Sequence, residues 1–102
     1  MYQLKAEPQF KKDYQRLKHR HPELIADLMN TLNQLHLNGI VNVEYRPHIL
    51  TNRGGNYNGS YEYHLSDGKV DVLVIYMPHK TNPSIRLIRV GSHNELFHST
   101  LK

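Results

Sequence analysis

The 102-residue chain contains no cysteine. Disulfide bonds, thiolate zinc sites and cysteine nucleophiles are therefore excluded, and packing alone must stabilise the fold. No apolar run approaches the roughly 20 residues that a membrane-spanning helix requires. The first twelve residues also lack the continuous apolar centre of a secretory signal, so we expect a cytoplasmic protein with no membrane contact. A chain of this length supports one compact domain, residues 1–102.

The charge that is present is mainly positive and unevenly distributed. The whole chain carries a net charge of +4, and residues 1–21 alone hold six basic and two acidic side chains. A basic N-terminal segment favours a polyanionic partner such as nucleic acid. A solvated helix face explains the same residues equally well, so charge alone does not decide between these interpretations.

The N-terminal part of the chain carries one weak strand pattern and two helical ones. Alternation over residues 2–6 predicts a short first strand. Pro8 and Pro22 each suit the first position of a helix, where a missing N–H costs nothing. Asn38 and Gly39 both tolerate positive φ and indicate the end of the second helix. Because few residues separate the two helices, we expect an antiparallel helical hairpin.

The C-terminal part carries strand patterns. Residues 38–59 are rich in asparagine and glycine and are predicted to be mostly loop. Strands are predicted at 60–65, 71–77 and 84–90, and the middle one is apolar enough to be central and buried on both faces. This order predicts an α+β fold, in which a small antiparallel sheet carries the N-terminal helical hairpin on one face. The other face of the sheet is then available for function.

Histidine is abundant, with eight in the chain. His48 ends the long loop, His64 lies on the first of the three later strands, and His93 directly follows the last. Asp71 opens the central strand, so His64 and Asp71 should lie close across their turn, and a short connection could bring His93 near them. The remaining five are interpreted as solvated or capping residues: His19, His21, His36, His79 and His98.

Such a group suits metal-free cleavage of RNA. The 2′-OH must lose a proton while the 5′-oxygen gains one, and a side chain that titrates near pH 6.5 can do either. Charge that builds on the phosphate requires a nearby cation, for which Arg89 is the best-placed candidate. Phe97 could stack on an unpaired base. His48, His64, Asp71 and His93 could instead bind zinc, although no HExxH spacing supports that hypothesis.

A resemblance to a known family is carried, in chain order, by the segments "EPQFKKDYQRLKHRHPEL", "YRPHIL", "GNYNGSYEYH", "DVLVIY" and "RVGSHNELF". Together they resemble the RelE/ParE toxin superfamily, and its YafQ branch most closely. The resemblance implies a toxin of a type II toxin–antitoxin system that cleaves mRNA on the ribosome and needs no cofactor. It also implies a cognate antitoxin that neutralises the toxin in a hetero-oligomer.

The resemblance assigns roles to the same residues. It makes His93 the general acid, while His48, His64 and Asp71 activate the 2′-OH or orient the phosphate. Arg89 and Phe97 match positions linked to the same site. A carboxylate in the preceding turn, Asp67, competes with Asp71 for its role.

One departure from the family pattern concerns the arginine expected before the strand histidine. Tyr61 stands in that position, and the candidates to compensate by contacting RNA are Arg53 and Lys69 in nearby loops. An alternative of the same fold is a ParE-like toxin that acts by binding DNA gyrase without cleaving RNA. The histidine set counts against this alternative, because such toxins do not require it.

Overall fold

A computed structural model describes residues 1–50, 59–65 and 71–97 of the chain. The helices and strands of this part, in chain order, are β1 (Gln3–Ala6), α1 (Pro8–Arg20), α2 (Ile25–Asn38), β2 (His48–Ile49), β3 (Tyr61–His64), β4 (Leu73–Pro78), β5 (Ser84–Gly91) and α3 (His93–Phe97). Short 3-10 turns at Pro22–Leu24 and Val43–Tyr45 precede α2 and β2.

The strands form one sheet in the order β1-β5-β4-β3-β2. All neighbouring pairs are antiparallel except β1 and β5, which run parallel. The predicted α+β class is thus confirmed, with one parallel pair added at the edge. β4 is central, as predicted, and its residues Leu73, Val74 and Ile75 are fully buried. β2 lies in the region predicted to be loop, because a strand of two residues is too short to show an alternating pattern.

The two N-terminal helices follow the signals in the sequence. α1 begins at Pro8, and Pro22 opens the 3-10 turn that leads into α2. α2 ends at Gly39, whose φ of 78° is left-handed and whose N–H donates to the Leu35 carbonyl at 2.9 Å. This is the arrangement that a C-terminal glycine makes possible. In the described residues, no helix is long and apolar enough to cross a membrane.

The two faces of the sheet differ in character. The main core fills one face, where Phe10 and Leu17 of α1 and Leu28 and Leu35 of α2 pack against the strands. A smaller cluster of Leu73, Ile75 and Leu96 lies apart from it. α3 covers part of this second face through Leu96, and the rest of the face carries the polar side chains considered below.

The side chains of strand β3 alternate between the two faces of the sheet. Tyr61 and Tyr63 pack against the main core. Glu62 and His64 are paired across the ladder with Ile75 and Leu73, so they share the second face. The apolar and the functional residues of β3 are therefore interleaved along the strand.

Candidate active site

The junction between β5 and α3 is held by a reciprocal pair of hydrogen bonds. The Glu95 N–H donates to Ser92 Oγ at 3.1 Å, and the Ser92 N–H donates to Glu95 Oε1 at 3.0 Å. This is a capping box, which satisfies two backbone donors that a helix start otherwise leaves open. Gly91 precedes it, and a Cβ at that position would lie 2.9 Å from Glu95 Oε1. The Gly-Ser pair therefore ends the strand and makes His93 the first residue of α3.

Asp71 holds His93 by both its backbone and its side chain. His93 Nδ1 lies 2.6 Å from Asp71 Oδ1, and the His93 backbone N–H donates to Asp71 Oδ2 at 3.3 Å. Because a carboxylate only accepts, the ring proton resides on Nδ1. Exchange of a proton with a substrate would then take place at Nε2. Both side chains are about half exposed, so the pair lies at the surface of the site.

Glu62 forms the buried floor of the site. The residue is 4% exposed, and its Oε2 lies 2.7 Å from His48 Nε2. His48 Nδ1 in turn lies 2.9 Å from the backbone oxygen of Arg46. Both ring nitrogens of His48 therefore face acceptors, and both contacts are hydrogen bonds only if the imidazole carries two protons.

His64 lies between the other two imidazoles. Its ring centroid is 6.3 Å from that of His48 and 5.5 Å from that of His93. Burial lowers the pKa of His64 below its ordinary value, an effect that Glu62 opposes and that His93, His48 and Arg46 reinforce. The ring is therefore neutral near pH 7 and can accept a proton.

Within residues 1–50, 59–65 and 71–97, two buried atoms of this cluster have no hydrogen-bond partner: Glu62 Oε1 and His64 Nδ1. Buried polar atoms normally have partners, and an exception at a clustered site indicates a place for a ligand or for chemistry. Glu62, His64 and His93 each present one ligand atom, and these three atoms lie within 4.8 Å of one another.

The structure brings together the histidines and the carboxylate selected from the sequence: His48, His64, Asp71 and His93. It adds Glu62, which the sequence reasoning missed. The available signal was its i, i+2 spacing from His64 on a predicted strand, which places both on one face. It also adds Arg46, an exposed cation with a left-handed φ of 53° beside this group.

Arg89 is placed differently from the prediction. It is 5% exposed, and its Nε donates to Asp13 Oδ2 at 2.6 Å while its Nη2 donates to Asp13 Oδ1 at 3.1 Å. Asp13 is a buried residue of α1 and also accepts from the Val90 N–H at 3.2 Å. This placement does not support the predicted phosphate contact, because the guanidinium is buried and bonded to a carboxylate.

Several other predictions fall outside the described residues: Arg53, Lys69, Asp67 and the side chain of Phe97. Tyr61, which occupies the position expected to hold an arginine, stacks on Tyr76 with ring centroids 5.5 Å apart. It packs against the main core, so the side chain at position 61 lies on the opposite face of the sheet from His64.

The residues that could hold a metal ion differ from the set considered in the sequence. In the described part of the chain the group is Glu62, His64 and His93. His48 and Asp71 instead contact two of these three residues, as outer-shell groups do when they orient metal ligands. One carboxylate and two imidazoles suit zinc or copper.

The fold has counterparts among known proteins. A family described as the bacterial toxin of type II toxin–antitoxin systems, YafQ, matches residues 2–98. The chain belongs to the YafQ family. No curated protein is significantly similar to it in sequence.

Solved structures share this YafQ-family fold. A metal-bound toxin from Helicobacter pylori is 27% identical, with a TM-score of 0.75 over 95% of this chain and 100% of that one. YafQ from E. coli strain BL21(DE3) is 22% identical, with a TM-score of 0.77 over 95% of this chain and 99% of that one. A chain of the E. coli DinJ–YafQ complex is 23% identical, with a TM-score of 0.75 over the same shares. At these two lower identities the likeness concerns the fold alone.

Proposed function

We propose that this member of the YafQ family is a ribosome-dependent endoribonuclease that cleaves mRNA by metal-free acid–base catalysis. The observation that carries the proposal is the convergence of three imidazoles over a buried carboxylate, with His93 oriented by Asp71. Groups that titrate near neutral pH are held at one exposed face, where an RNA backbone can reach them.

The chemistry requires one proton to leave the RNA and another to arrive. Neutral His64 accepts the proton of the 2′-OH, and the 2′-oxygen attacks the phosphorus. The bond from phosphorus to the 5′-oxygen breaks, and His93 in its protonated form donates a proton from Nε2 to that oxygen. The products are a 2′,3′-cyclic phosphate and a 5′-OH, and both histidines return to their starting states by exchange with water.

Positive charge must stabilise the phosphate in the transition state. His48 suits this role in its protonated form, in which its two ring nitrogens donate to Glu62 and to the Arg46 carbonyl. The Arg46 guanidinium is exposed on the same side and supplies a second cation. Such electrostatic stabilisation is often the largest contribution to catalysis. In this scheme Asp71 and Glu62 orient imidazoles and do not exchange protons with RNA.

A cognate antitoxin is the expected partner. The related E. coli structures include a DinJ–YafQ toxin–antitoxin complex. We propose that this chain likewise forms a hetero-oligomer with an antitoxin that covers the catalytic face. The substrate, translated mRNA, places the activity in the cytoplasm.

The proposal is tested with purified protein and ribosomes programmed with mRNA. The wild type should cleave the message and leave a 2′,3′-cyclic phosphate, and His93→Ala should slow cleavage by about 10²- to 10⁴-fold. His19→Ala is the matched control, because His19 is an exposed residue of α1, the helix that packs on the other face of the sheet. Equal cleavage by wild type and His93→Ala would contradict the proposal.

The same preparation distinguishes the nuclease proposal from the alternative of a gyrase-binding toxin. A ParE-like toxin would inhibit DNA supercoiling by purified gyrase and leave ribosome-bound mRNA intact. We expect the reverse pattern: cleaved mRNA and unimpaired supercoiling.

A further inference from the structure

We infer that Glu95 is a positioning residue for His93, acting through an ion-pair chain that connects α3 to α1 and β5. This inference rests on the proposed nuclease function and adds a residue that lies outside the histidine cluster. Through Ser92 and two arginines of α1, Glu95 fixes the helix whose first residue is His93.

The chain of contacts alternates carboxylates and guanidinium groups. Glu95 Oε2 accepts from Arg16 Nε at 3.1 Å and from Arg20 Nη1 at 3.2 Å, both on α1. Arg16 Nη2 also donates to Asp13 Oδ1 at 2.9 Å. Asp13 is the buried carboxylate that holds Arg89 of β5. The ion pairs thus run from the buried core outward to α3.

Both carboxylate oxygens of Glu95 accept hydrogen bonds at the same time. Oε1 closes the capping box with Ser92, while Oε2 receives the two arginines. The first contact fixes where α3 begins, and the second fixes the direction in which α3 leaves β5. A neutral amide could keep the first contact, because glutamine also completes a capping box, but it would lose the ion pairs.

This support matters because α3 is only five residues long. A helix of that length has little stability of its own and depends on contacts with the rest of the molecule. The general acid sits at its first position, and catalytic geometry tolerates little error. A displacement of about 1 Å can cost about 10²-fold in rate.

The surroundings of Gly91 also show how closely Glu95 packs against the end of β5. A Cβ at this position would lie 2.9 Å from Glu95 Oε1 and 3.4 Å from a methyl carbon of Leu96. The nearest obstacle is thus the end of a flexible side chain, which can move at small cost in stability. Gly91→Ala should therefore disturb the Glu95 carboxylate more than it disturbs folding.

The first experiment compares Glu95→Ala and Glu95→Gln in single-turnover cleavage of ribosome-bound mRNA. We expect the cleavage rate at saturation to fall by about 10- to 100-fold for Glu95→Ala and by less for Glu95→Gln, with little change in the concentration for half-saturation. Glu7→Ala is the matched control, because Glu7 also pairs with an arginine, Arg86, and is similarly exposed, at 32% against 26%. Its cleavage rate should match the wild type, and both alanine variants should lower Tm by no more than about 5 °C.

The second experiment combines Gly91→Ala with Glu95→Ala. Gly91→Ala should slow cleavage in the wild type and add nothing once Glu95 is alanine, since the displaced carboxylate is already gone. Independent effects of the two substitutions would overturn the inference, as would a wild-type rate for Glu95→Ala.

A readout without RNA separates this inference from the nuclease proposal. The ring nitrogen resonances of His93 report its hydrogen bond to Asp71, and Glu95→Ala should shift them while Glu7→Ala does not. If the wild type fails to cleave mRNA, the nuclease proposal is wrong and the resonances still test the positioning. Unchanged resonances in Glu95→Ala would overturn it.

Discussion

At the scale of single residues, Glu62 is the group that changes the interpretation of the site. The histidines could be selected from the sequence because three of them sit at strand ends or on a strand, where an imidazole is unusual. An acidic residue in a strand carries no such signal. Its i, i+2 spacing places Glu62 on the same face as His64, but only the pairing of β3 with β2 shows that it lies beneath His48. The sequence therefore supplied the histidines and Asp71 of the cluster but not the buried carboxyl group that contacts His48.

The same residues predict how the site responds to transition metals. A Zn²⁺ ion bound by Glu62, His64 and His93 would occupy the imidazoles that the proposed reaction requires. We therefore expect Zn²⁺ to inhibit mRNA cleavage, and a zinc chelator that spares Mg²⁺ to restore it fully. Cleavage that depends on added Zn²⁺ would contradict the metal-free scheme.

Calorimetric titration with Zn²⁺ checks the ligand assignment directly. Glu62→Gln should weaken binding by more than the about 10- to 100-fold that loss of an outer-shell partner costs. The matched control is Glu23→Gln, since Glu23 also contacts a histidine, His21, at 3.1 Å on the surface. That control should bind Zn²⁺ as the wild type does.

At the scale of elements, local patterns predicted most of the fold. α1 begins at Pro8, Pro22 opens the 3-10 turn before α2, and Gly39 caps the end of α2; these signals lie within a few neighbouring residues. β2 was missed because two residues show no period, and the parallel pairing of β1 with β5 joins segments about 80 positions apart. The pairing of Arg89 with Asp13 was not predicted for the same kind of reason, since the two residues lie near opposite ends of the chain.

The Asp13–Arg89 pair leads to a prediction about stability. Asp13→Ala removes the carboxylate from a buried guanidinium and should lower the free energy of unfolding by about 3–5 kcal/mol. Replacing both residues, Asp13→Leu with Arg89→Met, should recover most of that loss, because no charge is then buried. Denaturant unfolding measures each variant, with the exposed Glu44→Ala as a control near the wild-type value.

One experimental outcome would instead assign Arg89 a role in the active site. If Arg89→Met abolished mRNA cleavage with no loss of stability, its guanidinium would be acting on the substrate and the structural role would be wrong. The double-mutant comparison separates these roles, because two buried partners couple strongly in stability.

At the scale of the whole molecule, the two faces of the sheet carry different kinds of residues. The helical hairpin and the main core occupy one face, and the imidazoles occupy the other. β3 contributes to both, with tyrosines toward the core and Glu62 and His64 toward the site. Under the proposed function, stability and catalysis depend on different residues of the same strand, so substitutions in the cluster should reduce activity without unfolding the protein.

The role of His93 as general acid is tested most directly by changing the leaving atom of the substrate. Ribosome-bound mRNA is prepared with sulfur in place of the 5′-oxygen at the cleavage position, because a thiolate leaves without protonation. On normal mRNA, His93→Ala should cleave about 10²- to 10⁴-fold more slowly than the wild type. On the sulfur substrate the two proteins should cleave at nearly equal rates. If His93→Ala remained equally defective on both substrates, His93 would not be the group that protonates the leaving oxygen.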